Sequence, residues 1–217
     1  MIIINFKNYV HGKKSLDLAK LIEKYLPQAI VAVPSVDIST IASHTKLKIF
    51  AQHVDISSSP QKSTGFVTLD ALKSDGAQGT LLNHSEHQIS LSEINMTVGD
   101  LREAGLKSVV CAPTLGVVKE LLKLANKPDV IAFEDVELIA TGKSITEYRT
   151  NDVEKFVSLL LKTKIIPLCG AGISSADDVK KAFELGCKGV LISSAIVNAP
   201  LKKAEKLLRE LREFDKN

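Results

Sequence analysis

A closed (β/α)8 barrel, an α/β fold in one domain, is what this sequence predicts, and three observations predict it. Eight short apolar runs recur along the 217 residues, at spacings of about twenty to thirty-five, room each time for one strand and one crossover helix. Most of these runs are continuously apolar instead of alternating, as in Ile30-Val-Ala-Val33, Val109-Val-Cys111 and Ile165-Ile166, which fits strands covered on both faces. The stretches between them carry helical periods of their own. An open doubly wound sheet competes with this reading, but it normally has about five to seven strands and a switch point, so eight runs favour closure.

Taken in order, the strands are expected to start near Ile2, Ala29, Lys48, Gly79, Lys107, Asp129, Lys164 and Gly189. Leu18, Leu21, Ile22 and Tyr25 make one helical stripe; Leu201, Ala204, Leu207, Leu208 and Leu211 make another. Pro27 and Gly105 punctuate helix ends, and Ser175 followed by Asp177 and Asp178 has the composition of a helix start. No linker or low-complexity tract divides the chain, so residues 1–217 read as one domain. The longest polar stretch, Asp55-Ile-Ser-Ser-Ser-Pro-Gln-Lys-Ser-Thr-Gly65, should project from the barrel mouth.

Composition excludes several classes of function. The chain is 45% hydrophobic with a formal charge of +3, its acids and bases scattered without blocks. That leaves no basic stripe for nucleic acid, and the tyrosines do not interleave with arginines to make a stacking surface. No apolar run approaches the length of a membrane span. The N-terminus runs directly into a strand pattern without a charged leader, and Cys111, Cys169 and Cys187 are too few and too far apart for a disulfide framework or a zinc knuckle. We expect reduced thiols in a cytoplasmic protein, with Cys111 and Cys169 as small apolar filler of buried strands.

The chemistry is concentrated at strand ends. Val130-Ile-Ala-Phe-Glu134 delivers a carboxylate to the C-terminal mouth, and the loop that follows ends in Thr141-Gly142. A base on a rigid strand end under a closing loop is a suitable mount for proton abstraction. Thr80-Leu-Leu-Asn-His84 delivers a histidine in the same way, and Ile3-Ile-Asn5-Phe-Lys7 a lysine. Three reactive groups of different chemistry at the ends of three buried strands indicate an enzyme. Abstracting a carbon-bound proton needs a shielded base and a donor aimed at the developing oxyanion, and this set supplies both.

Two segments of glycine and small residues follow the seventh and eighth strands: Cys169-Gly-Ala-Gly-Ile173, and Gly189-Val-Leu-Ile-Ser-Ser-Ala195. Barrels that take phosphorylated substrates commonly hold the phosphate on backbone N–H groups from these two loops. Either segment alone reads as an ordinary turn; together, at these two positions, they indicate phosphate binding. That gives a ligand class and not a reaction.

Assembled, these residues resemble the triosephosphate isomerase family, in particular its short archaeal type. The matching motifs are Asn5-Phe-Lys7, Phe50-Ala-Gln-His-Val54, Thr64-Gly65, Gly79-Thr-Leu-Leu-Asn-His-Ser-Glu86, Phe133-Glu134, Ile139 with Thr141-Gly142-Lys143, Cys169-Gly-Ala-Gly-Ile173 and Gly189-Val-Leu. They span residues 5 to 194 in the right order. The resemblance implies interconversion of dihydroxyacetone phosphate and D-glyceraldehyde 3-phosphate with no cofactor and no metal. It makes Glu134 the base, His84 the electrophile that polarises the carbonyl, and Lys7 the cation facing the substrate's phosphate and carbonyl side. It gives Asn5 an orienting role, puts Ile139 and Ala140 in the lid, and sets Gly170, Ala171, Gly172, Ser193 and Ser194 around the phosphate. It also implies a homodimer or homotetramer, with Ser63-Thr-Gly65 as the tip of a loop that enters a neighbouring subunit. A sugar-phosphate barrel without turnover, or one acting on a phosphoribosyl or indole-glycerol substrate, stays open as an alternative.

The pattern departs from the family at four places. Asp135 replaces the usual proline after the base, and its side chain is expected to point to solvent. Ala140 replaces a glycine in the lid. His87-Gln88 stands where a basic pair is usual, and Ser193-Ser-Ala195 where Ala/Gly-type residues are usual. Of the other histidines, His53 is expected to be structural, and His11 and His44 to lie on the surface. Glu86 is expected either to pair with Lys7 or to cap a turn.

Overall fold

The computed structural model describes residues 1–56, 59–139 and 141–215. Ser57 and Ser58 of the loop after the third strand, Ala140 of the expected lid, and the last two residues lie outside the described residues. The eight strands are β1 (Ile2–Asn5), β2 (Ile30–Val33), β3 (Lys48–Ala51), β4 (Gly79–Leu82), β5 (Lys107–Ala112), β6 (Val130–Phe133), β7 (Ile166–Cys169) and β8 (Gly189–Ile192). All neighbours pair parallel, and β8 returns to β1, so the sheet closes without an edge.

The apolar runs are continuous because each strand packs on both faces. Ile3, Phe50, Leu81, Val109, Ala132 and Leu168 fill the barrel interior. Their neighbours Ile2, Ile4, Ile49, Leu82, Val110 and Ile131 point outward into the layer between strands and helices. This is the alternation of a barrel, hidden in sequence because both faces are dry.

The strand starts fall within two residues of those expected. The seventh begins at Ile166 and not Lys164, because the Thr163 hydroxyl accepts the Ile165 N–H at 3.1 Å and holds the chain in a turn. The helix start at Ser175 is a reciprocal cap: Ser175 Oγ accepts the Asp178 N–H at 3.1 Å, and the Asp178 carboxylate accepts the Ser175 N–H at 3.0 Å. In the last long helix, Leu201–Glu210, Ala204, Leu207 and Leu208 are buried as expected, as is Leu211 just beyond it. Leu201 is not; it opens the helix after Pro200 and is 68% exposed. The loop after β3 is closed at its base by the Asp55 N–H donating to the Val67 carbonyl, while the Val67 N–H donates to the Asp55 carboxylate. Among the described residues no helix is long and apolar enough to cross a membrane.

The ladder runs one residue past several strand ends. The Phe6 N–H donates to Ala32 O at 2.8 Å, the Glu134 N–H to Ala112 O at 3.0 Å and the Gly170 N–H to Phe133 O at 3.0 Å. The side chains just beyond the strands are therefore mounted on the barrel and not on free loops.

Candidate active site

At the C-terminal mouth a cavity of about 360 Å³ is lined by Asn5, Lys7, His84, Glu134, Ile139, Ala171, Gly172, Ser193 and Ser194, together with Tyr9, Thr141 and Leu191. Nine of the sequence-predicted site residues thus meet in one place. Gly170 lies behind the lining, against the Glu134 side chain. Ala140 lies outside the described residues.

Glu134 follows β6 and is 6% exposed. Its Oε2 is buried without a hydrogen-bond partner and stands 3.8 Å from Nε2 of His84. Beside it on β5 lies Cys111, whose thiol is pushed well up in pKa by burial and then by the Glu134 carboxylate. Cys111 therefore stays a neutral thiol, which agrees with its reading as apolar filler.

His84 is aimed by its neighbour. Asn83 adopts a left-handed backbone, φ 57°, a conformation that asparagine tolerates better than other side chains. Its amide donates to the Cys111 carbonyl at 3.0 Å, and its oxygen accepts the Ile89 N–H at 3.1 Å. Beyond His84 the chain makes a single turn; the next helix starts only at Leu91. In that turn the Glu86 N–H donates to Nδ1 of His84 at 3.2 Å. With Nδ1 accepting, the ring proton sits on Nε2, the nitrogen that faces Glu134.

Lys7 leaves β1 in a left-handed conformation too, φ 47°. Its Nζ donates to Glu86 Oε1 at 2.6 Å, so the Lys7–Glu86 pair forms, with the lysine largely buried and the carboxylate 59% exposed. Asn5 is buried, and its Oδ1 accepts the Lys7 N–H at 2.9 Å. Gln52 bridges the same corner, its amide donating to the Lys7 carbonyl at 3.0 Å and reaching Asn5 and Ala32 at 3.3 Å. Sequence reading quoted Gln52 within a motif without giving it a task; no periodic pattern marks a residue that joins three chain segments.

The two small-residue loops also meet here. Ala171 and Gly172 are consecutive left-handed residues, φ 70° and 69°. At Gly172 a Cβ would overlap the Lys143 carbonyl oxygen, so this glycine is required for the close approach of the chain at Lys143. After β8, the hydroxyl of Ser193 is buried with no hydrogen-bond partner.

Asp135 does not point to solvent. It is 18% exposed and accepts the Arg149 Nε–H at 2.6 Å, while its other oxygen accepts the Glu137 N–H at 2.9 Å. The expectation failed because the partner lies on another element, where no local pattern betrays it. Arg149 was not singled out at all. His53 is held on Asp55 at 3.1 Å and packs against His87 with ring centroids 4.0 Å apart and planes tilted by 30°, and His11 and His44 are exposed. Among the described residues no group of three His, Cys, Asp or Glu side chains is arranged to hold a metal ion.

Eight parallel strands closed into a barrel, with a carboxylate, an imidazole and an ammonium gathered at the C-terminal mouth, define an α/β-barrel enzyme. The sequence model of triosephosphate isomerase matches residues 1–208. Triosephosphate isomerase of Methanocaldococcus jannaschii is 35% identical over 99% of this chain and 99% of the relative. That of Sulfolobus acidocaldarius is 38% identical over 97% of this chain and 92% of its own length, and that of Archaeoglobus fulgidus 38% over 94% and 93%. Among solved structures, triosephosphate isomerase from Bartonella henselae shares the fold, with a TM-score of 0.71 and 20% identity over 99% of this chain and 98% of that one. The chain belongs to the triosephosphate isomerase family, a family of aldose–ketose isomerases.

Proposed function

We propose that this chain interconverts dihydroxyacetone phosphate and D-glyceraldehyde 3-phosphate, in glycolysis and gluconeogenesis, by proton transfer without a cofactor. The observation that carries the reading is the facing pair of Glu134 Oε2 and His84 Nε2, 3.8 Å apart across a small cavity. A carboxylate oxygen that has no protein partner has its lone pairs free for a substrate proton.

Glu134 takes the proton from the carbon next to the carbonyl. The bond's electron pair moves into the carbon skeleton and the carbonyl oxygen becomes an enediolate oxygen. Nε2–H of His84 donates to that oxygen, and Lys7 adds positive charge on the same side. Nε2 of His84 passes its proton to that oxygen, making it a hydroxyl, and takes the proton of the adjacent hydroxyl, whose C–O becomes the new carbonyl as Glu134 returns its proton to the neighbouring carbon. A donor already fixed in place, as the Glu86 N–H fixes the His84 ring, stabilises the developing charge without reorganisation. Asn5 orients the substrate.

The phosphate lies between the loop 170–172 and Ser193-Ser194 in this reading. The unpartnered hydroxyl of Ser193 supports it, because a buried polar group left unsatisfied costs roughly 1–3 kcal/mol and an anionic oxygen would satisfy it. Ile139, with Ala140, closes over the phosphate and keeps water from the enediolate. We extend the reading to a cytoplasmic homodimer or homotetramer, with the loop around Ser63-Thr-Gly65 as the intersubunit contact.

A coupled isomerase assay tests the reaction. Wild-type protein should turn over both triose phosphates. His84→Gln should lose about 10²–10³-fold in kcat, the cost of one oxyanion donor. Glu134→Gln should lose more, with circular dichroism unchanged in both. Wild-type rates in both variants would refute the assignment.

A further inference from the structure

Asp135, the residue after Glu134, stands where the resemblance implies a proline, and the structure gives it a partner. Asp135 uses both carboxylate oxygens: one accepts the Arg149 Nε–H at 2.6 Å, the other the Glu137 N–H at 2.9 Å. Its carbonyl accepts the Leu138 N–H at 3.1 Å. Arg149 closes the ring by donating through Nη2 to Glu137 Oε2 at 2.8 Å. The first residues of the lid are thus clamped by one guanidinium acting through two faces of its fork.

Arg149 is itself fixed. It stands at the junction of the helices Ile145–Tyr148 and Thr150–Leu160. Its N–H donates to Ile145 O at 2.9 Å, and its carbonyl accepts the Asp152 and Val153 N–H groups at 2.9 and 3.0 Å. The Ile145 N–H in turn donates to the carbonyl of Ala171, in the loop after β7, at 3.1 Å. The lid's upstream hinge and the loop after β7 therefore hang from one post.

We propose that Arg149 is a positioning residue of this enzyme, holding the lid's first hinge through Asp135 by a breakable ionic clamp where the family has the fixed backbone of a proline. A proline hinge is stiff in every state of the lid. An ion pair is stiff only while it is made, so lid position depends on Arg149. The proposal rests on the isomerase reading for its kinetic readout only.

The test is a double-mutant cycle with Arg149→Gln and Asp135→Pro. In the wild-type background Arg149→Gln should lower kcat about tenfold, with KM changed less than threefold. It should also raise the inorganic phosphate released per turnover, as the enediolate expels phosphate by C–O cleavage under a loose lid. In the Asp135→Pro background, where the backbone supplies the stiffness, the same substitution should cost less than twofold. An equal loss in both backgrounds, or no loss in either, would overturn the proposal.

Amide exchange supplies a second arm that needs no activity. Asp135→Asn should speed exchange at Glu137 and Leu138 at least tenfold while leaving the strand amides unchanged; unaltered exchange there sinks the clamp. If wild-type protein does not isomerise triose phosphates, the functional reading fails and this arm still decides the clamp.

Discussion

A Cβ placed on Gly170 would stand 2.8 Å from Oε1 of Glu134, 2.9 Å from its Cγ and 3.0 Å from its Cδ, so the residue beyond β7 and the carboxylate beyond β6 fill one space. The register explains the meeting: Phe133 and Cys169 are Cα partners, and the residue after each lies at the same level of the barrel. Gly170→Ala must displace the carboxylate from its place beside His84. Because a misplacement of about 1 Å can cost roughly 10²-fold, we expect kcat/KM to fall ten- to a hundredfold. Thermal stability should change little, since the carboxylate can swing into the open cavity. A variant with normal kcat/KM would show that the carboxylate position is not set from β7.

Gly172 gives the opposite outcome, a stability effect. Its φ is +69°, and an added Cβ would overlap the Lys143 carbonyl oxygen, a backbone atom that cannot rotate aside. A left-handed backbone alone costs a non-glycine residue about 1–2 kcal/mol. With the overlap added, Gly172→Ala should lose roughly 2–4 kcal/mol in urea unfolding. Gly142 is the control. Its φ is +75° with nothing within 4 Å of a built Cβ, so Gly142→Ala should cost only about 1 kcal/mol. Equal losses at the two positions would mean that the Lys143 contact carries no weight.

What could be read from the chain alone follows a physical division. Strands were legible because burial on both faces leaves an unbroken apolar run, and Lys7, His84 and Glu134 were legible because each ends or follows such a run. Groups whose work is done between elements were not. Gln52 joins β1 and β2, Asn83 ties β4 to β5, and Arg149 reaches back to Asp135 from the next helix junction. Nothing local marks these residues; only closure of the barrel gives them partners. The misplacement of Leu201 has the same origin, since a periodic stripe says which face is apolar and not where the neighbouring layer begins.

His53 makes the stability of this chain dependent on pH. Burial, and then the adjacent His87, push its pKa below the ordinary 6.5; the Asp55 carboxylate and Glu93 oppose the shift without cancelling it. The folded protein therefore binds this proton less readily than the unfolded chain does. Its contribution to stability is complete above pH 6.5 and is lost as the pH falls through the folded-state value below it. Urea midpoints measured from pH 8 down to pH 5 should decline below 6.5 in the wild type, and less in His53→Gln, which can still hydrogen-bond Asp55. The His87 ring lies against that of His53, centroids 4.0 Å apart and planes tilted by 30°, and is the second cause of the shift. His87→Gln should therefore flatten the decline in part, by removing one of the two causes and leaving burial. Parallel wild-type and His53→Gln curves across that range would show that His53 does not set this pH dependence.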